Sequence, residues 1–246
     1  MHEPSPQPVS VRPPSFGLLA RELRVVGELS SFLLRAGKEP GLPRGDGHPV
    51  MVLPGFTFGD LGTRPLRRAL TSLGYDAHGW GQGPNLGMPR RVRDGLFARV
   101  EALHAKHGRP VSLVGWSLGG VYAREVARGR PHLVRRVFTL GSPINHDPDA
   151  NNVRVVGDLL RGRPSAPSDP TLFAARRPTP PVPCVAVYTK TDGVVAWPCC
   201  MEDEQPHTEN VEVRGSHGGL VCSLEVLRVL AERLPLPGAM SATSSD

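Results

Sequence analysis

Apolar residues fall into two rhythms along the chain. Short continuous runs occur at Pro49 to Leu53, Tyr75 to Trp80, Val111 to Val114, Leu133 to Leu140 and Pro183 to Tyr188, with a last one at Val211 to Val213. Each reads as a buried strand. Between them the period changes to three and four. Arg64 to Leu73, Arg91 to His107 and Gly120 to Arg128 read as helices, and Leu220 to Leu234 closes the series. Gly74 and Gly108 stand as stops after two of them. Strands alternating with helices over short connections predict an α/β fold, a mostly parallel sheet of about six strands with helices on both faces. A further helix is predicted from Phe16 to Ala36, where Leu18, Leu19, Leu23, Val26, Leu29, Phe32, Leu33 and Ala36 recur at helical spacing. Its apolar face is expected to pack on the domain, with contact to a lipid surface as the alternative.

The rhythm breaks from Gly141 to Pro181, a proline-rich stretch in which only Val153 to Leu160 reads as helix. Its position suggests a cap insertion. Residues 1–15 and 237–246 are polar or proline-rich and read as disordered tails, which leaves one domain over residues 16–236.

Composition narrows the classes. The chain has 246 residues and a formal net charge of +6, carried mostly by arginine. Aromatics make up only 5%, so there is no basic-aromatic surface of the kind that binds nucleic acid. No run reaches the roughly 18–20 apolar residues that span a bilayer. The N-terminal residues carry no signal-peptide pattern, which gives a cytoplasmic expectation. Cys184, Cys199, Cys200 and Cys222 then read as reduced thiols, and their spacing suits no zinc site. His146, Asp147 and Asp149 lie close together but read as a solvated loop, so neither a metal nor a cofactor is expected.

The candidate chemistry sits where the central strand ends. Gly115-Trp116-Ser117-Leu118-Gly119 lies between a predicted strand and a predicted helix, the layout of a nucleophile elbow. Glycines flank a turn too sharp for side chains, and the serine hydroxyl is lifted over the sheet edge beside unpaired helix N–H groups. A serine needs a base and the base needs an acceptor. In a parallel sheet every loop that follows a strand emerges at one edge. Of the nine histidines, His217 follows the last strand, has glycines close on both sides and precedes the last helix. Asp192 follows the strand ending at Tyr188; Asp147, Asp149, Glu202, Asp203 and Glu204 remain alternative acids. The backbone N–H groups of Leu118 and Phe56 are the expected oxyanion donors, the second on the turn Leu53-Pro54-Gly55-Phe56.

L-P-G-F at 53–56, G-W-S-L-G-G at 115–120, L-G-S-P at 140–143, T-D-G-V-V at 191–195 and G-S-H-G-G-L at 215–220 together resemble the α/β-hydrolase superfamily, within it the small bacterial lipase/esterase branch. The resemblance implies acyl transfer through a covalent acyl-enzyme, acting on a small-molecule acyl ester or lipid. It leaves an acyltransferase or thioesterase, or a non-catalytic scaffold, as alternatives. The first antiparallel strands of that fold are missing here. Trp116, Trp197 and Ile144 are candidates to line the substrate pocket, with apolar residues of the presumed cap.

Overall fold

The computed structural model describes residues 11–145 and 177–235. Six strands form one parallel sheet in the order β2-β1-β3-β4-β5-β6. They are β1 (Pro49–Leu53), β2 (Asp76–Gly79), β3 (Val111–Trp116), β4 (Val134–Leu140), β5 (Cys184–Tyr188) and β6 (Thr208–Glu212). Every residue of β1, β3 and β5 is buried, which is why these strands are unbroken apolar runs rather than alternating ones.

Helices cover both faces. On one side α3 (Asp60–Leu73) and α6 (Leu224–Arg233) pack with Phe32 against Val50, Val52, Val114 and Phe138. On the other, α4 (Arg90–His107) and α5 (Leu118–Gly129) cover Met51, Leu53, Leu113 and Val137. A small satellite core joins Tyr188, Val195, Cys199 and Cys200, with Val11 packed on it. All four cysteines are free and buried.

Several boundaries differ from the sequence expectation. Helix α3 begins at Asp60 rather than Arg64, since the Asp60 carboxylate accepts the N–H groups of Trp80 (2.9 Å) and Gly81 (3.1 Å) and ties the first turn to the end of β2. The last strand is Thr208–Glu212, not Val211 to Val213, because the β5 register extends pairing back to Thr208. The closing helix is split. Gly218–Cys222 is a 3₁₀ turn, and α6 starts afresh where Ser223, in extended conformation, caps it by accepting the N–H of Val226.

The N-terminal helix departs most. It is broken into α1 (Phe16–Ala20), a 3₁₀ turn (Arg21–Arg24) and α2 (Val25–Arg35). Its inward face carries Phe32 and Ala36, both buried, together with Glu22, Arg24, Val25 and Glu28, all half-buried. Much of the apolar stripe expected to pack on the domain instead faces out, with Leu23 80%, Val26 69% and Leu33 60% exposed. The reason is that charged groups of this segment have polar backbone to bind. The cap expected over 141–181, including Val153 to Leu160, lies outside the described residues except at its ends, as do His146, Asp147 and Asp149. No described helix is long and apolar enough to cross a membrane.

Candidate functional site

Ser117 occupies the one-residue step between β3 and α5 with φ 53° and ψ −123°. Only Thr57 shares a positive φ among described non-glycine residues. Holding an L-residue there costs on the order of 1–3 kcal/mol, and the packing around it supplies the constraint. A Cβ on Gly115 would meet Gly120 Cα at 2.3 Å, and one on Gly119 would meet the Leu53 carbonyl oxygen at 2.4 Å. No side chain fits at either position, so β1, β3 and the start of α5 can close on one another. Leu118 is the first residue of α5, so its N–H has no carbonyl within the helix to bond.

The loop after β1 lies against this turn. A Cβ on Gly55 would sit 3.3 Å from Ser117 Cβ. Half-buried Phe56 follows. The loop is held by Asn85, fully buried, which donates its side-chain amide to Pro54 O (2.7 Å) while its backbone accepts Thr57 N–H (2.7 Å) and donates to Phe58 O (2.8 Å). In the sequence Asn85 is marked only as an asparagine in a Gly/Pro loop.

Asp192 and His217 meet at the same sheet edge. His217 Nδ1 lies 2.7 Å from Asp192 Oδ2, and both residues are buried. The other carboxylate oxygen of Asp192 accepts the N–H groups of Val194 and Val195, each at 2.8 Å. The aspartate is thereby fixed as an acceptor facing the imidazole. Burial works against a charged imidazole, yet the charge of Asp192, its hydrogen bond and the charge of Glu22 outweigh it, so His217 is raised above its ordinary pKa. Trp116, next to the serine, links the two loops by donating its indole N–H to the His217 carbonyl at 3.0 Å. Gly141, at φ +58°, leaves the necessary space: a Cβ there would meet His217 Nδ1 at 3.1 Å and Asp192 Oδ2 at 3.2 Å.

The broken N-terminal helix buttresses this pair, which the sequence did not reveal. Glu22 accepts three backbone N–H groups, from Gly193 (2.9 Å), His217 (3.0 Å) and Gly218 (3.1 Å). It therefore bridges the turn carrying Asp192 and the loop carrying His217. Glu28 accepts the Ser216 N–H at 3.0 Å and its hydroxyl besides, while Arg24 donates to Thr191 and to the Gly215 carbonyl. In the sequence these three charges look like the solvent side of a helix.

The other candidates are placed as follows. Trp116 is buried, with Phe58 4.9 Å from it between ring centres. Ile144 is buried and donates its N–H to Cys199 O. Trp197 stacks on Tyr188, 5.7 Å between ring centres, with the Lys190 ammonium 5.5 Å from the Trp197 ring centre. Among the alternative acids, Glu202 is buried in an ion pair with Arg124, and Asp203 accepts the Asn145 side chain.

A second Ser-His-Asp array lies elsewhere. His48 Nδ1 is 2.5 Å from Asp46 Oδ1, and its Nε2 is 2.9 Å from Ser112 Oγ. His48, which stands between Gly47 and Pro49 in a polar stretch of sequence, is fully buried, as is Ser112. Burial lowers the His48 pKa to about 4 against the opposing effect of Asp46. Ser112 lies inside β3, at a register shift against β4, with no positive φ and no helix starting directly after it. This array has the atoms of a triad, but His48 and Ser112 are sealed from solvent, and their bond ties the start of β1 to β3.

Comparison with known proteins agrees with this architecture. No curated protein matches the sequence. Among solved structures, the mature lipase BlEst2 of Bacillus licheniformis is similar at 14% identity and a TM-score of 0.59, over 81% of this chain and 97% of that one. Carboxylesterase CesB (YbfK) of Bacillus subtilis is similar at 14% identity and a TM-score of 0.53, over 88% and 100%. A third similar structure, described under LipS and LipT, two metagenome-derived lipolytic enzymes, has 15% identity and a TM-score of 0.57 over 80% of this chain and 96% of that one. At such identities the likeness is one of fold. The sequence profile described as the alpha/beta hydrolase family matches residues 50–233, and the chain belongs to that family.

Proposed function

We propose that the protein is a serine hydrolase of carboxylic esters. Ser117 attacks the ester carbonyl while His217 takes its proton. Asp192 holds the imidazole in the required tautomer and offsets its positive charge. The N–H groups of Leu118 and Phe56 stabilise the oxyanion. The imidazolium returns its proton to the leaving alcohol, and water then releases the acid by the reverse route. The observation that carries the reading is the 2.7 Å Asp192–His217 pair, placed at the sheet edge where the strained Ser117 stands. The fold neighbours described as a lipase and a carboxylesterase are in keeping with it. The same machinery would serve an acyltransferase or thioesterase, which differ in acceptor or leaving group.

The substrate we propose is an acyl ester met at a lipid surface. Phe16, Leu23, Val26, Leu33 and Leu34 leave an apolar face on the N-terminal helices. Charges on this segment are sorted: Glu22, Arg24 and Glu28 point inward, whereas Arg12, Arg21 and Arg35 are exposed. An apolar face on a segment whose own exposed charges are cations suits an anionic lipid surface.

Steady-state rates on p-nitrophenyl esters of increasing chain length, matched thioesters, and an added alcohol acceptor test the reading. Ester hydrolysis that exceeds thioester cleavage and transfer is expected. No turnover of any ester would refute it, and preferential transfer would select the acyltransferase alternative.

A further inference from the structure

Far from Ser117, three potential ligands converge between the edge strand and α4. Asp76 and His78 are two residues apart on β2, so their side chains share a face. The last turn of α4 brings His107 to the same place. Nε2 of His78 and Nε2 of His107 each lie 2.9 Å from one oxygen, Oδ2 of Asp76. The three ligand atoms all fall within 4.8 Å of one another.

Both nitrogens are buried and neither makes a hydrogen bond, although a carboxylate oxygen is 2.9 Å away. The rings are steeply inclined, at 72°, with centres 6.3 Å apart, so they do not stack. Two imidazole nitrogens and a carboxylate oxygen within 4.8 Å of one another are a donor set suited to a zinc-class ion. Bonds of about 2.0–2.1 Å in a tetrahedron set neighbouring donors roughly 3.3 Å apart, against 2.9 Å for each histidine nitrogen from the Asp76 oxygen. His107 also ends α4, where the helix dipole favours a cation.

We propose that Asp76, His78 and His107 form a binding site for a divalent transition-metal ion of the zinc class, with water completing the shell. The ion staples the outermost strand β2 to the end of α4. Asp76 is opposite Pro49, the first residue of β1, so the site belongs to the sheet edge away from Ser117 and acts on stability rather than turnover. Lys106, whose ammonium is 3.2 Å from the same Asp76 oxygen, is exposed and competes with the ion for it.

The test uses the full chain stripped with EDTA and then given ZnCl2, with MgCl2 and CaCl2 as controls. Bound metal per chain and unfolding temperature are the readouts. One zinc per chain and a rise of several degrees are expected, because an ion bound only by the folded state shifts the equilibrium by mass action. Magnesium and calcium should have no effect. His78→Ala and His107→Ala should each abolish the rise while keeping ester turnover, which also separates this site from the proposed reaction. Lys106→Ala, which removes no ligand, should bind zinc more tightly. The proposal is overturned by wild-type protein that neither retains zinc nor shifts, by a full shift surviving in both histidine variants, by equal shifts with calcium or magnesium, or by weaker binding in Lys106→Ala.

Discussion

Replacing Glu22 should damage the reaction although Glu22 precedes residue 50, where the family match begins. Its carboxylate is the common acceptor for backbone N–H groups of Gly193, His217 and Gly218. A hydrogen bond to a charged group contributes about 1.5–3 kcal/mol net. Glu22 is only half-buried, so water replaces part of what is lost. Glu22→Ala should therefore cost about 2–3 kcal/mol of stability rather than three full bonds. The kinetic effect comes from loosened registration of Asp192 against His217; a loss of about 1.4–2.8 kcal/mol in transition-state stabilisation corresponds to a 10–100-fold fall in kcat/KM. Glu22→Gln keeps one acceptor oxygen and removes the charge. Since the charge of Glu22 helps to raise the His217 pKa, the acidic limb of the kcat/KM profile should move to lower pH in this variant. The assay is a pH series of kcat/KM on a short p-nitrophenyl ester, beside thermal unfolding. Wild-type kcat/KM and an unshifted acidic limb in both variants would refute the reasoning. A fall in unfolding temperature alone would reduce Glu22 to a purely structural clasp.

Three further outcomes are expected. Ser117→Gly should abolish turnover yet be more stable than Ser117→Ala by about 1 kcal/mol in chemical unfolding, since glycine accepts the backbone conformation that strains alanine. His48, neutral and buried with a pKa of about 4 against 6.5 when unfolded, should destabilise the fold as pH falls. The unfolded chain takes up the proton first, so stability present above pH 6.5 is lost toward pH 4, by about 3 kcal/mol at most. His217, whose pKa is raised, works in the opposite sense, so the check is the difference in pH dependence between wild type and His48→Gln. Finally, the protein should co-sediment with anionic vesicles and not with neutral ones, less so at high salt, and Leu23→Glu with Leu33→Glu should abolish the association; undiminished binding by that variant would contradict the lipid-facing role of α1 and α2.

The strands and the elbow are legible in the sequence because each depends on nearby residues. Val111 to Val114 must be apolar when both faces of the sheet are covered, and Gly115 and Gly119 must lack side chains because β1 and the start of α5 crowd them. The meeting of Asp192 with His217 could be anticipated from strand order, since a parallel sheet brings its loops to one edge. The roles of Glu22, Arg24 and Glu28 could not. Periodicity shows that a helix has an apolar stripe but not what its polar stripe will touch. Here the polar stripe meets unpaired backbone of the Asp192 and His217 loops, and binding it outweighs burying Leu23, Val26 and Leu33. His48 is hard to place for a related reason: beside Gly47 and Pro49 it looks like loop, and although Asp46 is local, only the fold supplies Ser112 to satisfy its other nitrogen inside the protein. Asp76, His78 and His107 come together through packing of α4 on the sheet, which no local spacing records.

The account stands on Ser117 being an activated nucleophile served by His217. The most direct measurement is labelling of the native protein with a fluorophosphonate probe, with the modified residue located by peptide mass spectrometry. One adduct per chain at Ser117 is predicted, absent in Ser117→Ala and strongly slowed in His217→Ala. An unlabelled protein, or labelling that persists in Ser117→Ala, would contradict it.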